Sequence, residues 1–166
     1  PTTWTSALTL NKTDFPDGAY TITMEIGGSV VTRTFVIDIK LDLPEYAVFD
    51  DNGNVIASDI TNDSAPTWSN TGKAPAEAGA TIEIKANGQV IGSTIVDANG
   101  NWSIPSNKVL VDGEYQIELT IKDKAGNTAT TTDTLVIDTV APELSIDTIA
   151  GDGVLTDVEL DNGLTI

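Results

Sequence analysis

Residues 112–121 of this 166-residue chain read Asp-Gly-Glu-Tyr-Gln-Ile-Glu-Leu-Thr-Ile. From Tyr115 onward apolar and polar side chains alternate, which is typical of a β-strand with one buried face. The Asp-Gly pair just before the strand is a turn signal. A tyrosine at the start of a strand, directly after a turn, is where a tyrosine corner forms in a β-sandwich. We therefore expect the Tyr115 hydroxyl to bond back to the preceding loop.

The same pattern occurs once before in the chain. Residues 17–26 read Asp-Gly-Ala-Tyr-Thr-Ile-Thr-Met-Glu-Ile, and Tyr20 is expected to form the same corner. Thr34–Asp38 is repeated as Thr134–Asp138, and Trp4 precedes Trp102 by 98 residues. Equivalent positions lie 95 to 100 residues apart, which is the length of one sandwich domain.

This spacing divides the chain into three units. Residues 1–43 are expected to be the C-terminal strands of a first domain, 44–139 a complete domain, and 140–166 the opening strand or two of a third. Pro1 is not a natural start, which favours a piece taken from a longer protein. An incomplete unit cannot close its own core.

The complete unit has the pattern of strands throughout and shows no helical periodicity. Asn87-Gly88 is a hairpin signal, because both residues accept the positive φ angles of a type I′ turn. Trp68 and Trp102 are interpreted as core residues rather than as a platform for sugars. The predicted strands are 45–50, 66–72, 81–87, 89–97, 101–105, 114–123 and 128–138. The predicted fold is all-β, with immunoglobulin-like Greek-key sandwich repeats in tandem.

Composition excludes several classes of function. The chain has neither Cys nor His, which rules out thiol chemistry, zinc sites with these ligands and catalytic triads. Its net charge of −17 disfavours nucleic acid and anionic lipid as partners. No apolar run approaches the roughly 18 residues of a membrane helix, so no membrane insertion is expected. Paired carboxylates such as Asp50 and Asp51 could be interpreted as a glycosidase pair, but no cleft or aromatic platform accompanies them.

Four stretches, taken in order, resemble the bacterial Ig-like tandem repeats of giant secreted surface adhesins, which are often exported by type I secretion like the RTX adhesins. These stretches are Asn87–Ser103, Asp112–Tyr115, Asp123–Thr128 and Val136–Pro142. The resemblance implies a non-catalytic, extracellular stalk on the bacterial surface, with calcium ions stiffening the junctions between repeats. Its partners would be the neighbouring repeats and a host-cell, bacterial-surface or carbohydrate ligand.

The distribution of carboxylates also favours calcium, since Ca²⁺ takes six to eight oxygen ligands. Loops of a sandwich gather at its two ends, and each end here concentrates Asp and Asn residues. The alternative is that these residues simply make turns. The candidate ligands are Asp38, Asp42, Asp97, Asn99, Asp123 and Asn127 at the end facing the first linker, Asp50, Asp51, Asp59, Asp63, Asp112 and Asp138 at the other, and Asp147 and Asp152 in the third unit.

Three kinds of function remain open. A structural spacer is favoured, because a nearly periodic unit does not single out one domain as the binding site. A ligand-binding module would be expected to show an atypical insertion or exposed aromatic residues. An accessory domain of a secreted enzyme would be expected to adjoin a domain of different composition, whereas Ile146–Gly153 resembles the opening of another repeat.

Overall fold

In a computed structural model of the chain, residues 15–145 are described, and they form ten strands and no helix. The predicted third unit, including Asp147 and Asp152, lies almost wholly outside this range. The strands are β1 Gly18–Ile26, β2 Ser29–Ile37, β3 Ala47–Phe49, β4 Ile60–Thr61, β5 Thr67–Ser69, β6 Thr81–Ala86, β7 Gln89–Ile95, β8 Ser103–Pro105, β9 Gly113–Lys122 and β10 Thr128–Ile137. Within the described range no helix is long and apolar enough to cross a bilayer.

Strands β3 to β10 form the predicted sandwich. One sheet has the order β4-β10-β9-β6-β7 and the other the order β3-β5-β8. All seven predicted strands are present within a few residues of their expected bounds. The additional strand, β4, was not predicted, because two residues are too short to show a period. It pairs in parallel with the end of β10, a contact that only the tertiary fold creates.

The core lies between the two sheets and is built by the alternating residues of the long strands. Ile117, Leu119 and Ile121 of β9 are at most 2% exposed. Trp68 and Trp102 are 1% and 4% exposed, so their prediction as core residues is confirmed. Leu41 and Tyr46 pack against the same core and so attach the first linker, residues 39–43, and the start of the unit to it.

The two local predictions from the turns are also confirmed. Asn87 and Gly88 have φ angles of 48° and 78°, as a type I′ hairpin requires. The Tyr115 hydroxyl donates to the carbonyl oxygen of Val111 at 3.0 Å. In the earlier copy, the Tyr20 hydroxyl donates to the carbonyl oxygen of Pro16 at 2.7 Å. Both tyrosine corners are therefore present, four residues back in each case.

Strands β1 and β2 form a separate two-stranded antiparallel hairpin. Its turn, Gly27-Gly28, has φ angles of 57° and 80°, which glycine adopts without strain. Asp17 accepts a hydrogen bond from the backbone N–H of Ile39 at 2.7 Å. Asp112 accepts the equivalent bond from Thr139 at 3.1 Å. The ends of both repeated segments are therefore fixed in the same way to the linkers that follow them.

Candidate metal centre

Three loops of the complete unit share the motif Asp-x-x-Gly-Asn. They are Asp50–Asn54, Asp97–Asn101 and Asp123–Asn127, and each joins two neighbouring segments of the sandwich. In every loop the first carboxylate accepts a hydrogen bond from the backbone N–H of the Asn, at 2.8 Å. The Asn side chain also donates to the other carboxylate oxygen, at distances from 2.7 to 3.5 Å. The glycine has a positive φ of 79° to 100°. The motif is therefore a turn held by its own carboxylate.

Two of the three loops use their carboxylates only for this purpose. Hydrogen bonds from the side chain and backbone of Asn54 hold the pKa of Asp50 below its ordinary value. Hydrogen bonds from the backbone of Asn101, and then of Asn99, do the same for the pKa of Asp97. Within residues 15–145 neither carboxylate belongs to a group of three converging acidic side chains. Their positions are accounted for by turn formation.

The Asp123 loop differs because two further carboxylates meet it. Asp38, at the end of β2, and Glu77, in the loop before β6, each bring one oxygen to it, and the three oxygens lie within 4.8 Å of one another. We call Asp38, Glu77 and Asp123 the three-carboxylate site. Asp123 is only 5% exposed, Asp38 is half-buried and Glu77 is exposed. The topology argument placed Asp38 and Asp123 at the same end of the unit, and the structure brings them together there.

Asn127 connects the linker to this loop. Its side-chain N–H₂ group donates to the backbone carbonyl of Asp38 at 3.0 Å and to the Asp123 carboxylate at 2.7 Å. A single amide therefore joins the end of β2 to a loop 89 residues later. This contact holds the Asp38 side chain near Asp123.

The pKa values of Asp123 and Glu77 are shifted in opposite directions. Burial alone would raise the pKa of Asp123, but hydrogen bonds from the Asn127 side chain and from the backbone N–H groups of residues 125–127 hold it below its ordinary value. The pKa of Glu77 is raised, first by burial and then by the negative charges of Asp38 and Asp123, although Lys124 opposes the shift. Hydrogen bonds therefore stabilise the negative charge of Asp123, whereas the negative charge of Glu77 is destabilised by its neighbours.

The chemistry of these donors fits a hard divalent cation. All three side chains offer oxygen, the ligand that Ca²⁺ and Mg²⁺ prefer, and together they carry up to three negative charges. Backbone carbonyls and water complete the coordination of calcium in proteins, alongside carboxylates. Asp38, Glu77 and Asp123 therefore fit calcium.

Among residues 15–145, the other predicted ligands are not part of the three-carboxylate site. Asp42 forms an exposed ion pair with Lys40 at 2.8 Å. Asp112 accepts hydrogen bonds from the backbone and hydroxyl of Thr139, and Asp138 accepts one from the backbone of Val140. Asp51 is exposed. Asp147 and Asp152 lie outside the described residues.

Sequence reasoning missed Glu77 altogether. It lies 39 residues after Asp38 and 46 before Asp123, in a segment, Glu77-Ala-Gly-Ala, with no ligand-like spacing. The backbone N–H of Gly79 bonds to Val96, and that of Ala80 to Glu77 itself. These bonds position the loop before β6, but nothing in the sequence around Glu77 reveals which loop it faces. The Asp-x-x-Gly-Asn repetition, in contrast, is visible in the sequence, although its Asp and Asn residues were considered there only one by one, as candidate calcium ligands or as turn formers.

A family model described as "Bacterial Ig-like domain" matches residues 39–139. No protein among the curated proteins matches the chain.

Among solved structures, the chain is similar to one described as "Biofilm associated protein - BSP domain", with 22% identity and a TM-score of 0.38 over 78% of this chain and 20% of that one. It is similar to the structure described as "Ca2+-stabilized adhesin helps an Antarctic bacterium reach out and bind ice", with 25% identity and a TM-score of 0.34, over 72% of this chain and 30% of that one. A bacterial immunoglobulin-like domain from the M. primoryensis ice-binding adhesin is 27% identical, with a TM-score of 0.30, over 57% of this chain and 94% of that one. The chain thus spans less than a third of the first two structures.

Proposed function

Because the chain belongs to the bacterial Ig-like domain family, we propose that it is a non-catalytic, extracellular stalk segment of a large bacterial surface adhesin, stiffened by calcium at the junctions between repeats. Its immediate partners are the neighbouring repeats of the same protein. Ligand contact with a host cell, another bacterium or a carbohydrate is made by the adhesin as a whole. This segment contributes length and stiffness.

The main support for the proposal is the three-carboxylate site. Asp38 belongs to the end of one repeated segment, whereas Glu77 and Asp123 belong to loops of the next unit. Without a cation the three charges repel, and at physiological salt this repulsion acts over about 8 Å, so it is felt between close neighbours. A calcium ion bound by all three converts that repulsion into an attachment between the linker and the unit.

The division into units is part of the proposal: residues 1–43 end one repeat, 44–139 form the next, and 140–166 open a third. The equivalent tyrosine corners at Tyr20 and Tyr115 support the correspondence between the first two units. The equivalent bonds of Asp17 and Asp112 to the following linkers support it further. Asp138 then stands at the second junction where Asp38 stands at the first.

A calcium titration tests the metal site directly. Calcium added to chelator-treated protein is expected to raise the melting temperature and to bind with a Kd of about 10⁻⁴ to 10⁻³ M, the range of extracellular modules. Glu77→Gln removes one ligand charge from an exposed side chain and should weaken binding severalfold. Asp97→Asn is the matched control, since it changes the carboxylate of an equivalent loop that, within residues 15–145, belongs to no group of three converging acidic side chains.

Three results would contradict the site: a flat titration, an equal loss in both variants, or magnesium binding as tightly as calcium. Magnesium is expected to bind less well because it demands a tight octahedron and gives up water reluctantly.

The stalk role is tested on several complete repeats in tandem. The linkers Ile39–Leu43 and Thr139–Ala141 are short, and Pro44 and Pro142 each fix one backbone angle directly afterwards. Small-angle scattering should show an extended, stiff particle with calcium and a more flexible one with chelator. Identical dimensions in both conditions would mean that apolar packing and proline alone hold the junctions.

A further inference from the structure

The loop that contributes Asp123 to the three-carboxylate site carries a lysine that the two equivalent loops lack. The second residue of the Asp-x-x-Gly-Asn motif is Lys124 in this loop, whereas it is Asp51 and Ala98 in the other two. Within residues 15–145, this loop is also the one of the three at which acidic side chains converge. The positive charge therefore stands beside the carboxylates that most need a counter-charge.

The side chain of Lys124 lies across the turn that carries Glu77. This turn, residues 77–80, is closed by the backbone N–H of Ala80, which donates to the carbonyl oxygen of Glu77 at 3.2 Å. Gly79 has a φ of 82°, and the end of the Lys124 side chain occupies the place where a β-carbon on Gly79 would stand. The absence of a side chain at Gly79 therefore leaves room for the lysine on the Glu77 turn.

Lys124 acts on Glu77 through space. The negative charges of Asp38 and Asp123 help to raise the pKa of Glu77, and Lys124 is the charged group that opposes them. Lys124 takes part in none of the direct ion pairs found in the described part of the chain. Its ammonium group can therefore move away from the carboxylates without breaking such a pair.

We propose that the ammonium group of Lys124 is the counter-charge of the three-carboxylate site while no cation is bound, and that calcium binds by displacing it. A monovalent ion brings no more positive charge than the ammonium group, whereas Ca²⁺ brings twice as much, so a divalent ion gains from the exchange. Lys124 thereby keeps calcium binding weak and selects against monovalent ions. The displacement rests on the proposed function, whereas the counter-charge in the metal-free protein does not.

Calorimetric calcium titrations of the whole chain test the displacement. Lys124→Gln should tighten calcium binding about threefold to tenfold, because it removes a positive charge next to the ion. Lys124→Arg keeps the charge and should keep the wild-type affinity. Lys122→Gln is the matched control: it changes the net charge equally, but Lys122 is not among the charged groups that shift the pKa of Glu77. The gain in Lys124→Gln should shrink in about 1 M sodium chloride, where screening acts beyond about 3 Å.

Urea unfolding in the presence of a chelator tests the counter-charge without metal. Lys124→Gln should lower the free energy of unfolding more than Lys122→Gln, and the loss should be smaller when Glu77→Gln is also present. Lys124→Gln is thus expected to be less stable without calcium and yet to bind calcium more tightly. A folding defect would impair both properties, so the opposite signs identify the loss of a charge.

The proposal is overturned if Lys124→Gln leaves calcium affinity unchanged or weakens it, if Lys122→Gln tightens it equally, or if Lys124→Arg behaves like Lys124→Gln. Wild-type protein that binds no calcium would contradict the proposed function and the displacement together. The unfolding measurements in chelator would then still decide on the counter-charge, which equal losses in Lys124→Gln and Lys122→Gln would overturn.

Discussion

The side-chain amide of Asn127 donates to the backbone carbonyl of Asp38 at 3.0 Å, across 89 residues of sequence. The same amide donates to the Asp123 carboxylate at 2.7 Å. One residue therefore closes its own turn and at the same time holds the end of the preceding strand. The first linker begins at this contact, directly after β2. Asn127 therefore connects the linker to the complete unit through hydrogen bonds that need no bound cation.

Asn127→Ala is expected to loosen this junction. The variant loses both side-chain hydrogen bonds and leaves the Asp38 carbonyl without its partner. Asn101→Ala is the matched control, because it removes a long 3.5 Å side-chain bond to Asp97 and leaves the backbone N–H of residue 101 bonded to the same carboxylate at 2.8 Å. Hydrogen exchange at Ile39 and Lys40 should accelerate in the first variant and not in the second. Equal acceleration in both would show that the loop alone, rather than the contact with Asp38, restrains the linker.

In the absence of calcium, the titration of Glu77 is expected to make the free energy of unfolding depend on pH. Its pKa is raised in the folded protein above the ordinary value of 4.5, so between these two values the folded state binds more protons than the unfolded state. The free energy of unfolding therefore falls as the pH rises through that window. Glu77→Gln should remove the fall, and Glu114→Gln, at the start of β9, should not.

The carboxylates of Asp50, Asp97 and Asp123 change the free energy of unfolding in the opposite direction, and they do so at lower pH. Their pKa values are depressed below the ordinary 3.8, so the stability they contribute is complete above 3.8 and is lost as the pH falls through the folded values. Urea unfolding between pH 3 and 7 separates the two effects. If the free energy of unfolding of Glu77→Gln still falls as the pH rises above 4.5, the loss of stability does not come from the three-carboxylate site.

Gly100→Ala is expected to destabilise the complete unit much more than Gly53→Ala. Both glycines occupy the fourth position of an Asp-x-x-Gly-Asn loop, with φ angles of 81° and 79°, so each substitution costs about 1–2 kcal/mol in backbone strain. A methyl group on Gly100 would also lie 2.7 Å from the carbonyl oxygen of Ala76, whereas Gly53 has open space. Thermal and urea unfolding measure the difference. Equal losses would mean that the loop moves aside at no cost.

Tyr115→Phe is expected to destabilise the complete unit by about 0.5–1.5 kcal/mol, the net contribution of one hydrogen bond. The lost bond is that to the Val111 carbonyl, and the ring itself stays in place. Tyr20→Phe removes the equivalent bond from the β1–β2 hairpin and should leave the melting of residues 44–139 unchanged. An unchanged melting temperature for Tyr115→Phe would show that the corner contributes nothing to stability.

The sequence by itself determined the features that depend on neighbouring residues. Alternation from Tyr115 to Ile121 predicted strand β9, Asn87-Gly88 predicted the hairpin of β6 and β7, and the 95-residue repeat predicted both tyrosine corners. Periodicity and turn chemistry act within a few residues, so they can be recognised without knowing the fold. The sandwich follows from them because strands with one apolar face must bury it against another sheet.

Only the tertiary structure decided which acidic residues meet. Asp38, Glu77 and Asp123 are separated by 39 and 46 residues. The loops of Glu77 and Asp123 lie side by side because β6 begins beside the end of β9 in one sheet, where Thr81 pairs with Lys122, and Asn127 holds Asp38 at the same place. Asp50 and Asp97 have the same loop motif as Asp123, but in the described part of the chain neither belongs to a group of three converging acidic side chains. A local motif fixes how a carboxylate bonds its own turn, whereas its charge environment depends on distant segments, and the distance between charges is a property of the folded chain.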